Sequence, residues 1–155
     1  MLAISKTMDT GDDHFSLKWN NFRSSLTEGF HDFLQEEMMV DVTLAAEGKF
    51  LQAHKLVLSV CSPYFKNLFN VNPCKHPIVI LKDVSHNELS YVLQFMYKGE
   101  VGVKHEELPS FLKLADTLKL KGLAGVKVEV SYIQNFSYFW WNMQNTHINF
   151  HLFSE

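Results

Sequence analysis

Apolar residues recur at two different spacings along this chain, and each change of spacing marks a change of element. Phe15, Leu17 and Trp19 alternate with Ser16 and Lys18, which predicts a short strand with one apolar face. Phe22, Leu26, Phe30, Phe33 and Leu34 then recur at steps of three and four, which predicts an amphipathic helix from about 21 to 35 that runs through Gly29. Val40, Val42 and Leu44 alternate again, and Glu47-Gly48-Lys49 turns the chain into a second apolar run beginning at Phe50, so a hairpin is expected. A helical pattern starts at Lys55 and meets Ser62-Pro63, where the serine can cap a new helix and the proline can occupy its first turn.

The second of these helices carries Tyr64, Phe65, Leu68 and Phe69 and ends in the loop that holds Pro73 and Pro77. Ile78 to Leu81 is four apolar residues in a row and is read as a fully buried strand. Ser85 and Glu88 have capping-box spacing, ahead of the stripe Leu89, Val92, Leu93 and Met96, with Gly99 as its stop. Leu108, Phe111, Leu112, Ala115 and Leu118 form a last stripe, with Pro109 in its first turn and Gly122 marking its end. Residues 1–14 show no apolar period and are read as a disordered tail.

Composition narrows the class. The 155 residues suffice for one domain with a real core, and 46% hydrophobic with 20% charged residues is ordinary for a globular protein. A formal net charge of -3 provides no positive field for a phosphate backbone, so proteins rather than nucleic acid are the expected partners. No apolar run approaches the roughly 18 residues a spanning helix needs, so no membrane association is expected. Two cysteines, Cys61 and Cys74, and no leader-like start point to a reducing intracellular compartment. Cys74-Lys75-His76 is at most half of a metal site and has no second pair at suitable spacing, and His54 has no nucleophile and acid arranged around it. His54 is read as a structural hydrogen-bonding residue. Neither a cofactor nor an enzymatic activity is expected.

The order of these elements, with certain residues in them, resembles the BTB/POZ domain over about 15–125. The segments that carry the resemblance are Val40-Asp41-Val42-Thr43-Leu44, Ala53-His54-Lys55-Leu56-Val57-Leu58, Cys61-Ser62-Pro63-Tyr64-Phe65, Phe95-Met96-Tyr97-Lys98-Gly99-Glu100-Val101, Ala115-Asp116-Thr117-Leu118 and Lys121-Gly122-Leu123. The opening Phe15-Ser16-Leu17-Lys18-Trp19-Asn20-Asn21 is similar to the signature of the insect tramtrack-type subgroup. The resemblance implies an α+β fold, with a helical core, a small flanking sheet and an extra N-terminal strand. It also implies self-association, pairing with other BTB proteins, corepressor contact, and a nuclear role in transcription or chromatin regulation. The zinc fingers typical of that group have no counterpart, since no Cys-x2-Cys pair is followed by a His pair. An alternative job of such domains is adapting substrates to a cullin-3 ubiquitin ligase. The hydrophobic-x-Glu motif of those adaptors has no match, because residues 70–77 contain no glutamate.

Two groups of residues are candidates for the interaction itself. Phe15, Leu17 and Trp19 either fold onto their own domain or pair with a neighbouring subunit, and with Phe22, Leu26, Phe30 and Phe33 they supply more apolar surface than one small domain easily covers. These seven are the expected oligomer interface. Asp41 and Lys55 match the acidic and basic positions of a charged pocket in the family, with Lys in place of the frequent Arg. Buried as a pair, they would be worth several kcal/mol when one partner is removed, on the order of 3–5. Residues 126–155 carry Tyr132, Phe136, Trp140, Trp141 and Phe150 without a period, and no family motif covers them. They read as an isoform-specific tail or as an aromatic docking patch.

Overall fold

The computed structural model describes residues 2–7 and 14–123. The expected aromatic tail at 126–155 lies outside them. In chain order the elements are β1 (Leu2–Thr7), β2 (His14–Trp19), α1 (Phe22–Gln35), β3 (Val42–Ala46), β4 (Lys49–Ala53), α2 (Lys55–Cys61), α3 (Pro63–Val71), β5 (Ile78–Ile80), α4 (His86–Lys98) and α5 (Leu108–Thr117). The fold is α+β, as expected, and its strands form two separate sheets.

The three-stranded sheet has the order β4-β3-β5. Its β3–β4 hairpin turns on Glu47 and Gly48, whose φ angles of 50° and 73° are both positive. A two-residue turn of that kind matches the twist of the flanking strands, and glycine at the second position relieves the steric cost of left-handed backbone. β5 joins β3 in parallel, with Thr43 beside Ile78 and Ala45 beside Ile80. All five residues of β3 are buried, which suits a central strand.

Helices α2 to α5 enclose the core. Leu44, Leu58, Phe65, Leu89, Val92 and Leu118 are almost entirely removed from solvent. Local chemistry sets the helix ends. Ser62 caps α3 through its side chain with Pro63 in the first turn, and its hydroxyl also donates to the Leu118 carbonyl at 2.6 Å, so one buried serine joins the start of α3 to the end of α5. The capping box of Ser85 and Glu88 is complete at α4, and Gly99 closes that helix with left-handed backbone, φ 79°.

Three expectations need correction. Residues 2–7 are a strand rather than part of a disordered tail. β1 pairs with β2 in antiparallel register from Leu2↔Trp19 to Thr7↔His14, and this ladder satisfies a backbone whose own apolar period is too short to detect. The run at Ile78 to Leu81 is not fully buried: Ile78 and Ile80 are exposed and Val79 is packed against the core. β5 is an edge strand, so alternate residues face outward, and a run of consecutive apolar residues hides that alternation. The last helix ends at Thr117 rather than at Gly122, which sits in a later turn with φ 87°.

Candidate functional site

Helix α1 is one place where the fold leaves apolar surface uncovered. It has no buried residue along its 14 positions. With about 100° of rotation per residue, Phe22, Leu26 and Phe33 align on one side, and Phe30 and Leu34 lie further round the same face. The inner pair packs against the core while α1 rests on α4. The outer three remain exposed, at 48% for Phe22, 47% for Leu26 and 37% for Phe33. Phe30, expected in the interface with them, is therefore assigned to the core-facing side.

Strand β2 continues the surface. Its alternating residues Phe15, Leu17 and Trp19 are 63%, 65% and 54% exposed, and β2 pairs with β1 rather than with the three-stranded sheet. The Trp19 ring meets Phe22 edge-on, with centroids 5.3 Å apart and planes at 65°. The apolar face of the strand thus runs into the outer line of the helix at a ring contact. Six large side chains from two successive elements form this surface, which is more apolar area than a monomer usually shows to water.

Asp41 and Lys55 are brought together, in a different way from a buried ion pair. One Asp41 carboxylate oxygen accepts the Lys55 backbone N–H at 2.7 Å. This caps α2 from the residue just before β3, where the N-cap residue His54 makes no side-chain cap of its own. The other oxygen lies 3.8 Å from Lys55 Nζ, and the side chains are 45% and 24% exposed, respectively. The ammonium also donates to the carbonyls of Cys74 (2.8 Å) and Lys75 (3.0 Å), tying the loop before β5 to the start of α2. With this much solvent contact the pair is a capping and loop-fastening device, and the several kcal/mol expected of a buried pair does not apply.

His54 has the structural role expected of it. Its Nε2 lies 2.8 Å from the Met38 carbonyl, which can only accept, so this nitrogen carries the proton. Nδ1 then accepts from the Tyr97 hydroxyl at 2.7 Å, and that same hydroxyl accepts the His54 backbone N–H at 2.9 Å. Burial, opposed by the His54 amide and reinforced by Asp41 and Cys61, pushes the Tyr97 phenol up to about 12. Burial also raises the Cys61 thiol, against the pull of Lys121. Both groups are thereby held neutral, as a core requires.

A recess of about 440 Å³ between α1, β4 and α4 is lined by His31, Glu37, Gln52, Ser90, Gln94 and Lys98 among others, and the buried His31 Nδ1 has no hydrogen-bond partner, so it links neither Ser90 nor Glu37 to the ring. Among the described residues, no group of three or more His, Cys, Asp or Glu could hold a metal ion, and no helix is long and apolar enough to cross a membrane. Two features escaped the sequence reading: strand β1, and the exposed outer sheet face formed by Phe50, Ile78 and Ile80. Leu2 and Ile4 do alternate, but over too few residues to stand out, and strand order, which decides which apolar runs lie at an edge, is not written in any local pattern.

Comparison with known proteins agrees with this architecture. The BTB/POZ domain model matches residues 30–131. Among curated relatives, the longitudinals lacking protein-like protein of Drosophila melanogaster is 56% identical over 117 residues, covering 76% of this chain and 92% of that protein. Drosophila protein abrupt is 50% identical over 81% of this chain, and the alpha isoform of Drosophila protein tramtrack is 51% identical over 77% of it. The chain spans only 14% and 15% of those two longer proteins. The solved BTB domain of zebrafish PATZ1 has the same fold, with a TM-score of 0.64, 19% identity, and coverage of 81% of this chain and 99% of that one. Fold, family model and relatives thus converge on a protein-interaction module, and this chain belongs to the BTB/POZ domain family, among its tramtrack-type members.

Proposed function

We propose that this chain is a self-associating module that forms homo-oligomers and hetero-oligomers with other BTB proteins, in the service of a nuclear transcription or chromatin regulator. The carrying observation is the exposed apolar surface of Phe15, Leu17, Trp19, Phe22, Leu26 and Phe33. A second copy is the occupant that fits it, because the same patch on two chains is self-complementary about a two-fold axis. Strand β2 adds main-chain pairing to that side-chain contact. Asp41 and Lys55, both part-exposed, are proposed as a charged contact for a corepressor segment. This reading calls for no catalytic step, and a net charge of -3 gives no overall positive field for nucleic acid. Its match over 92% of the longitudinals lacking protein-like chain supports a domain that can make up nearly a whole protein.

The test is the mass of the full chain by light scattering after size exclusion at micromolar concentration. A mass of two chains or more is expected, and a stable monomer would overturn the reading. Leu26→Asp should give a folded monomer, since it places an unpaired charge in the contact, at a cost of several kcal/mol on the order of 3–5. Removal of residues 1–21 should weaken assembly more than it lowers thermal stability.

A further inference from the structure

Association through β2 and α1 leaves another apolar surface unexplained, the outer face of the three-stranded sheet. Successive side chains of β3 point to opposite sides: Val42, Leu44 and Ala46 belong to the core, so Thr43 and Ala45 face away from it. Residues directly opposite each other in neighbouring strands share a face. Ala45 lies opposite Phe50 on β4 and Ile80 on β5, which sets one small side chain between two large ones in a single row. The next row, Gln52–Thr43–Ile78, continues the same face. Phe50, Ile78 and Ile80 are each more exposed than any of Phe22, Leu26 and Phe33 on α1.

The row makes a trough. Ala45 is its floor, Phe50 and Ile80 are its walls, and with Ala46, Ile78 and Val84 they line a groove of about 880 Å³. A methyl floor between apolar walls suits aromatic rings, each of which buries about 150–250 Å². The chain carries such rings beyond the described residues. The BTB/POZ match ends at residue 131, and residues 132–141 hold Tyr132, Phe136, Tyr138, Phe139, Trp140 and Trp141, six aromatics in ten positions. No Asp, Glu, Lys or Arg occurs from 130 to 154, so this segment has no charge to desolvate when it is covered. The stretch from Leu123, where the described residues end, to Trp141 spans up to about 60 Å when extended. That is roughly twice the diameter of a small domain, so the aromatic segment can reach any face of this one.

We infer that residues 132–141 fold back over the outer sheet face and seat aromatic rings in the Phe50–Ala45–Ile80 trough. The chain then covers one apolar face of its own domain and keeps the α1–β2 face for partners. This inference involves neither β2 nor α1, so it stands or falls apart from the association proposed above.

Tryptophan fluorescence tests it in the full chain. Trp140 and Trp141 report on the segment, and the contribution of Trp19, measured in a chain lacking residues 132–155, is subtracted. Quenching of the pair by acrylamide is expected to be several-fold weaker in the full chain than in the same chain unfolded in urea. Ile80→Asp places a charge on one wall of the trough and Phe50→Asp on the other; both sites are exposed, and circular dichroism checks that each variant keeps its helix content. Either substitution should raise quenching to the urea level. Full-chain quenching already at that level, or protection that survives both substitutions, would overturn the inference. A dilute mixture of the Ile80→Asp chain with the chain lacking residues 132–155 identifies whose segment fills the trough. No protection is expected to return, and protection regained in the mixture would assign the trough to the segment of a second copy and overturn the fold-back.

Discussion

Single residues hold this fold at its joints. Ser62 is fully buried, accepts the Phe65 amide at 3.2 Å and donates to the Leu118 carbonyl. Ser62→Ala removes a helix cap and strands a carbonyl between α3 and α5, so a loss of about 2 kcal/mol is expected in urea unfolding. A loss of only a few tenths would mean that the site relaxes or admits water. Sequence chemistry of this kind was directly legible: Ser62-Pro63, Ser85 with Glu88, and Gly99 each announce a helix end by residue type alone. The long-range partners were not. Nothing near Asp41 says that it will cap a helix beginning 14 positions later, or that Lys55 will fasten the Cys74–Lys75 backbone, because such contacts exist only once strand and helix have been packed side by side.

At the scale of elements, α4 is the best-defined helix, and its start is sensitive to acid. Burial pushes the Glu88 carboxyl up, but hydrogen bonds from the Ser110 hydroxyl and from the amide and hydroxyl of Ser85 outweigh it and hold the group below its ordinary value. A depressed carboxyl contributes stability that is present above the unfolded-state value of 4.5 and is lost as pH falls through the lower folded-state value. The stability difference between the parent chain and Glu88→Gln should therefore be constant near neutrality and shrink on acidification below that value. A difference that stays flat down to the acid transition would show that the carboxylate charge adds nothing to the box. Edges explain most of what the periodicity did not reveal. The apolar stripe of α4 reads correctly because the helix has a core on one side and solvent on the other. β5 and β1 are both outer strands, and an outer strand obeys its neighbours as much as its own sequence. The seven interface candidates were visible as excess apolar surface, and six of them stand exposed; only the assignment of Phe30 required the α1–α4 packing.

For the whole molecule, the uncovered face of α1 couples stability to pairing. With no buried residue of its own, the helix gains little from the monomer core beyond the contacts of Phe30 and Leu34, and a helix of 14 residues is marginal in water without packing. Pairing binds the folded form alone, so the thermal midpoint of the full chain should rise with its concentration. The Leu26→Asp variant should lose that dependence, and a midpoint independent of concentration in the parent would show that α1 is stable unpaired. One bare helix face then has a consequence for supply as well as for shape. Mass action makes the folded pair vary more steeply than the chain from which it forms, so a cell that makes half as much of this chain retains less than half of its pairs. The shortfall persists as unpaired chains that leave Phe15, Trp19, Phe22 and Phe33 open to other contacts.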